Sequence, residues 1–229
     1  VYKRQDISRR YPMVRPDGIR EAFYMATGGI LRAGAIVAAL ATWLAAQGVV
    51  VRANTQVRAI DPTRPCVTLE DGDVVSGDHL IVAAGPWLPD LWPAAAQGIT
   101  PSRQVVAYLT PPDARAHAWR SAPMLLDIDA DAGFYLVPAA GGCGLKVGDH
   151  RFSLAGHPDA DRAAYEADIA PGLAAAGRRL VGFEGYKVKS RKTCFYSVAP
   201  DERFRCQPFE RAWVMTGFSG HGFKFGPLV

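Results

Sequence analysis

The chain has 229 residues, of which 49% are apolar and 21% charged, and its net charge is +4. That length and apolar content suffice for a sizeable buried core and exclude a disordered chain. Basic residues are interleaved with acids rather than gathered into a stripe, so nucleic acid is not an expected partner.

The first apolar run covers residues 30–51. It carries Arg32 and Gln47, and only 33–46 is free of strongly polar side chains, which is short of the ~20 residues a bilayer span needs. No membrane association is expected. Ile36, Leu40 and Leu44 recur at helical spacing, Gly48 is placed to end the helix, and Val49-Val50-Val51 reads as a buried strand, half of a doubly wound α/β unit. Cys66-Val67-Thr68-Leu69 and Val74-Val75 flank Glu70-Asp71-Gly72-Asp73, a hairpin signal. Residues 79–83 then form an apolar strand running into Ala84-Gly85.

After Trp92 the pattern changes to short strands and Pro-rich turns, with strands expected at 103–109 and 134–137. The acidic, Ala-rich stretch 159–170 reads as a helix that stops at Pro171-Gly172. Alternation places Lys187, Lys189 and Arg191 on one face of a strand, beside Lys192. A solvated sheet edge is preferred there over a phosphate site.

Cys66, Cys143, Cys194 and Cys206 have no short paired spacing, so neither a zinc site nor a thioredoxin-like pair is expected and no metal is assigned. A reducing, cytoplasmic location follows as the default. Cys143 reads as a small buried packing thiol. Two glycine-rich segments stand out: Gly141-Gly142-Cys143-Gly144-Leu145-Lys146-Val147-Gly148-Asp149-His150 and Gly217-Phe218-Ser219-Gly220-His221-Gly222-Phe223-Lys224-Phe225. Glycines let backbone approach a flat ligand, while the histidines and lysines supply polar chemistry. Gly142-Cys143-Gly144 and Gly220-His221-Gly222 each open like a dinucleotide fingerprint, but the third glycine comes one residue late in both, so neither is a phosphate loop. Between the two segments lies a lone cysteine, in Lys192-Thr193-Cys194-Phe195-Tyr196.

Together these three segments resemble the flavin face of the sarcosine oxidase/N-methyltryptophan oxidase family of FAD-dependent amine oxidases, and the likeness runs from residue 30 to the end. It implies an α/β (α+β) fold: part of a Rossmann-like FAD-binding domain at 29–92 and 199–229, with a mixed-sheet substrate domain at 1–28 and 93–198. It implies FAD, bound covalently by a thioether from Cys194 to the flavin 8α carbon. Lys146 matches the lysine that assists electron transfer to oxygen. Two unit charges about 4 Å apart interact by roughly 4 kcal/mol at an effective dielectric of 20, on the order of a thousandfold in rate. His150 and His221 match positions near flavin and substrate, with a structural histidine the rival reading for His150. Tyr135 and Tyr196 match pocket tyrosines, and Tyr135 reads equally as a half-buried strand residue. Lys224 matches the lysine that pairs with the substrate carboxylate. Gly217, Phe218, Ser219, Gly220, Gly222 and Phe223 match the flavin-side loop. Val57 and Gly85 match backbone positions near the cofactor, and Val57 reads equally as a core valine.

The family opens with a strand, a Gly-rich turn and a helix for the ADP half of FAD. This chain has no Gly-x-Gly-x-x-Gly near its start, so it reads as an internal fragment, inactive alone. The resemblance implies a monomeric enzyme that oxidises the C–N bond of a secondary or N-methylated amino acid with molecular oxygen, giving imine, aldehyde and hydrogen peroxide. A dehydrogenase, a primary amino acid oxidase and an inactive ligand-binding relic are the alternatives. Asp149 where an aromatic residue is usual, and Leu136-Val137 before Pro138, leave the substrate open.

Overall fold

The computed structural model describes residues 1–129 and 133–228. Its first elements in chain order are α1 (Arg4–Arg10), α2 (Ala33–Ala46), β1 (Val57–Asp61), β2 (Cys66–Leu69), β3 (Val74–Ser76), β4 (Leu80–Val82), α3 (Leu88–Leu91) and β5 (Thr100–Thr110). There follow α4 (Asp113–Trp119), β6 (Leu125–Asp127), β7 (Phe134–Val137), β8 (Leu145–Asp149), α5 (Glu166–Arg179), β9 (Lys187–Val198), β10 (Arg205–Phe209) and β11 (Ala212–Thr216). The mixed α/β fold is the one expected from the sequence.

The chain divides into two compact units, one of Val1–Arg32, Val105–Arg151 and Ala163–Cys194, the other of Ala33–Gln104, Phe152–Arg162 and Phe195–Val229. Two of the boundaries, after Gln104 and after Cys194, fall within β5 and β9. The first unit is organised by a five-stranded sheet of order β6-β7-β8-β5-β9. Alternation along β5, β7 and β8 sends Ala107, Leu109, Phe134, Leu136, Leu145 and Val147 to one face, where Ile169, Ala175 and Ala176 of α5 complete a buried core. Each fully buried Leu or Phe there contributes about 1.5–3 kcal/mol. Ile7, Met13 and Val14 from the first segment join this core, and Arg15 N donates to Arg179 O at 2.6 Å.

In the second unit β1, β2 and β3 form an antiparallel sheet whose β2–β3 hairpin turns at Gly72 as expected. A second sheet has the order β10-β11-β4, with β11 parallel to β4. Val82, Leu88, Trp92, Ala212 and Val214 pack around it, and Phe209 meets Trp92 edge-on at 4.8 Å.

The helix expected from Ile36, Leu40 and Leu44, ending at Gly48, is α2. It closes as a Schellman motif: Gly48 (φ +83) donates to Ala45 O and Val49 N donates to Leu44 O. Two expectations are corrected. Val49, Val50 and Val51 are exposed and form no strand, because no described strand offers them a hydrogen-bonding partner. The second helix begins at Glu166, not 159, and runs through Pro171 to Arg179. Upstream, Asp159 accepts from Trp87 Nε1 and Asp161 accepts from His157 N, so these carboxylates hold a loop instead of a helix start. Pro171 faces solvent, and burial of Ile169, Gly172, Ala175 and Ala176 on α5 offsets its missing donor.

Close backbone approach makes a clean test of this packing. A Cβ on Gly144 would lie 2.5 Å from the carbonyl oxygen of Leu109, a contact no side-chain rotation relieves. Gly144→Ala should therefore lower unfolding stability by about 1–3 kcal/mol. Gly34→Ala in α2, where a Cβ meets nothing within 4 Å, should raise it by about 0.5–1 kcal/mol. Denaturant unfolding of the two variants checks the opposite signs.

Candidate functional site

On the face of the first unit's sheet away from α5, β7 sets Tyr135 opposite Gly148 and Val137 opposite Lys146, while β5 sets Tyr108 opposite Lys146 from the other side. A Cβ at position 148 would come within 2.6 Å of the Tyr135 ring, so the ring lies where only glycine leaves room. Lys146 Nζ stands 5.5 Å from the centroid of that ring and the His150 ring 5.8 Å from it. The structure thus gathers Lys146, Tyr135 and His150 around one aromatic surface, within cation–π range of the ammonium.

Burial lowers the pKa of Lys146 from its ordinary value. Negative charge at Cys194 opposes that shift and positive charge at Lys192 adds to it. Tyr108 is half-buried and its pKa is raised, first by burial and then by the thiol charges of Cys143 and Cys194. Tyr108 is a site residue that the sequence reading passed over. Its signal was the alternation of β5, which puts Tyr108 on the face opposite Ala107 and Leu109. Cys194 is exposed on β9, where an exposed edge run of cations was expected and is found. Cys143 is exposed too, which corrects its reading as a packing thiol: it sits at a turn tied down by Lys189 Nζ donating to Gly142 O at 3.0 Å. Arg191 lies 3.5 Å from Glu166.

In the second unit, Val82 of β4 lies beside Val214 of β11 in parallel register, and three residues beyond each comes a glycine of positive φ, Gly85 at +55 and Gly217 at +73. Ligands bind at the carboxyl ends of parallel strands. A Cβ on Gly85 would meet nothing within 4 Å, which leaves its backbone open to close approach. The buried Thr216 Oγ1 at the end of β11 has no hydrogen-bond partner among the described residues. An open backbone edge beside an unpartnered hydroxyl fits a flat, hydrogen-bonding cofactor such as a flavin.

The loop after β11 is held from within. Ser219 is fully buried; its Oγ donates to Gly217 O at 3.1 Å and accepts from Ala199 N at 3.2 Å, so its hydroxyl secures the loop to the chain end of β9. A Cβ on Gly220 would come within 2.5 Å of the Tyr196 ring, and one on Gly222 within 2.6 Å of Phe218. Tyr196 is edge-on to Phe152 at 6.3 Å, and Phe218 packs on Phe204 at 5.1 Å. His221 Nε2 is 3.0 Å from Glu202 Oε2. Gly222, Phe223 and Lys224 lie in a 3-10 helix, Gly222–Leu228, where Phe223 and Lys224 are exposed and Lys224 Nζ stands 5.4 Å over the Phe225 ring. Val57 opens β1, in a different sheet from the one carrying Gly85 and Gly217.

Among the described residues no cluster of three or more His, Cys, Asp or Glu could hold a metal ion, and no helix is long and apolar enough to cross a membrane. The chain is 26% identical over 239 residues to a monomeric sarcosine oxidase of Bacillus sp. (strain NS-129), covering 100% of this chain and 61% of that protein. It is 27% identical over 235 residues to an N-methyl-L-tryptophan oxidase of Escherichia coli O81 (strain ED1a), covering 98% of this chain and 61% of that one. The chain thus spans about three-fifths of the length of these relatives. Among solved structures, L-proline dehydrogenase from P. horikoshii superposes with a TM-score of 0.81 at 15% identity, over 98% of this chain and 60% of that chain. A modified fructosyl peptide oxidase from Aspergillus nidulans in complex with FSA superposes with a TM-score of 0.79 at 21% identity, over 99% of this chain and 60% of that chain. At those identities the superpositions speak for the fold alone. The sequence pattern described as DAO, FAD dependent oxidoreductase, matches residues 1–229, and the chain belongs to that family.

Proposed function

We propose that the protein oxidises the C–N bond of a secondary or N-methylated amino acid, using FAD and molecular oxygen. The observation that carries this reading is the half-buried Lys146 set against Tyr135, with His150 beside it and Cys194 near enough for its charge to act on the lysine. The relatives named for sarcosine and N-methyl-L-tryptophan support an N-methylated substrate.

FAD, when bound, would supply a two-electron acceptor for the hydride equivalent leaving the carbon attached to nitrogen, with molecular oxygen as the final acceptor, giving hydrogen peroxide. This chain's residues do the rest. Within the first unit, Tyr135 is proposed as amine-facing and Lys146 as its charged neighbour; within the second, Gly85, Val57 and the loop of Gly217, Phe218, Ser219, Gly220, His221, Gly222 and Phe223 are proposed as flavin-side positions, Gly220 leaving room for the Tyr196 ring. Tyr135 and Tyr196 are each proposed as substrate-facing rings, as the family resemblance implies. Lys224 pairs with the substrate carboxylate. Lys146 holds a fixed positive charge where electrons reach oxygen. The imine product is hydrolysed in water to an aldehyde and a primary amine. Cys194 forms the thioether. The exposed Cys194 thiol would hold the flavin through its 8α carbon, a linkage whose formation would release two hydrogens to molecular oxygen. The working unit is a monomer in a reducing cytoplasmic compartment.

Four outcomes test this reading. Lys146→Met should leave anaerobic flavin reduction by sarcosine largely intact and slow reoxidation by oxygen by about a hundred- to a thousandfold at an effective dielectric near 20. Because burial lowers the Lys146 pKa, reoxidation by the unmodified enzyme should fall as pH rises through a value below 10.5, and the variant should lose that dependence. Unchanged reoxidation would exclude the lysine, and reoxidation without peroxide would favour a dehydrogenase. After acid precipitation, flavin should stay in the pellet for the unmodified protein and for Cys143→Ser, and pass to the supernatant for Cys194→Ser. Lys224→Met should raise KM for the amino acid by about 10- to 100-fold, the worth of one charge-assisted hydrogen bond, and leave an amine without a carboxylate unaffected.

A further inference from the structure

His221 sits between two glycines, on a loop that local packing holds in one conformation. Gly220 before it has φ +80 beneath the Tyr196 ring, and Gly222 after it lies against Phe218. His221 N donates to Phe218 O at 2.8 Å, and Ser219 keeps φ +45 through its buried hydrogen bonds. The segment facing the ring is shaped with equal care. Glu202 has φ +54, unusual for a residue with a side chain, and its N–H donates to Ala199 O at 2.9 Å. Its carboxylate meets His221 Nε2 at 3.0 Å. Arg203, the next residue, turns to Asp201 at 4.0 Å, which leaves Glu202 to the histidine.

An ionised carboxylate can only accept, so Nε2 must carry the proton that makes this bond, and in the neutral ring Nδ1 is then the bare acceptor. We propose that Glu202 is a positioning residue for the amine oxidation: by accepting from Nε2–H it holds His221 in the tautomer whose Nδ1 accepts from an N–H of the substrate. This rests on the flavin-dependent reading for its purpose, while the tautomer itself follows from the Glu202–His221 bond. It also sets a requirement on the ligand. A secondary amine that still bears an N–H satisfies Nδ1, whereas a tertiary amine offers nothing to it and leaves an unpaired acceptor.

Long-range 1H–15N spectra of the full protein labelled with 15N-histidine, recorded where the ring is neutral and assigned with His221→Gln, read the tautomer directly. The expected result is a protonated Nε2 and a bare Nδ1. Glu202→Gln should retain that pattern, since its amide oxygen still accepts, and Glu202→Ala should populate both tautomers. In turnover, kcat/KM for a secondary amine should fall by about 10- to 100-fold in Glu202→Ala, the range for losing an orienting partner, and recover substantially in Glu202→Gln. A protonated Nδ1 in the unmodified protein overturns the proposal without any variant having to fold. So does an unchanged tautomer in Glu202→Ala. The spectra need no flavin, so a fixed Nε2–H tautomer in a protein that oxidises no amine would overturn the proposed reaction and leave the Glu202–His221 arrangement standing.

Discussion

Two tyrosine rings, one in each unit, lie where a glycine leaves out its Cβ, and the local geometry around each depends on that close approach. Tyr135 occupies the volume beside Gly148, and Tyr196 the volume beside Gly220. In the first unit, the ring so placed becomes the surface against which Lys146 and His150 are arranged. In the second, the same device fixes the backbone immediately before His221. Interiors packed to crystal-like density make such vacancies specific: a methyl group in either place must displace an aromatic ring. The glycines that look from sequence like ligand cradles are therefore of two kinds. Gly148, Gly220 and Gly222 make room for the protein's own rings, while Gly85 stays open.

Much of this was legible in the chain because it rests on local periodicity. The alternation in β5 and β7, the hairpin around Gly72 and the helix ending at Gly48 each depend on residues close in sequence. What failed depended on partners the sequence does not display. Val49-Val50-Val51 has the composition of a buried strand, yet a strand needs a ladder, and these residues have none here. Pro171 is a strong local stop, overridden because the face carrying Ile169, Ala175 and Ala176 is buried against the sheet. Tyr108 was missed for a related reason: only the cross-strand register Tyr108↔Lys146 brings it to the site. Glu202, nineteen residues before His221, is joined to it by tertiary folding alone.

Histidines in this protein illustrate how hydrogen bonding decides what a ring can do. His157 has both nitrogens engaged, Nδ1 accepting from Asp159 N at 3.2 Å and Nε2 against Asp90 at 2.9 Å, so it is a structural tie for its loop. His150 shares an aromatic surface with Tyr135, and His221 has a carboxylate on Nε2. Residue type alone would rank the three together. Their partners separate them, and the separation runs with position: the tied histidine lies in a polar loop, the other two beside glycines and tyrosines.

The half-burial of Lys146 has a consequence for the fold as well as for chemistry. Because its pKa is lower folded than unfolded, the unfolded chain binds more protons between those two values, and stability rises with pH across that interval. Below the folded value the full cost of the ammonium stands against folding. Methionine of similar length would carry no such cost, so below that value the lysine is a local burden on the folded state that an uncharged side chain of the same reach would lift.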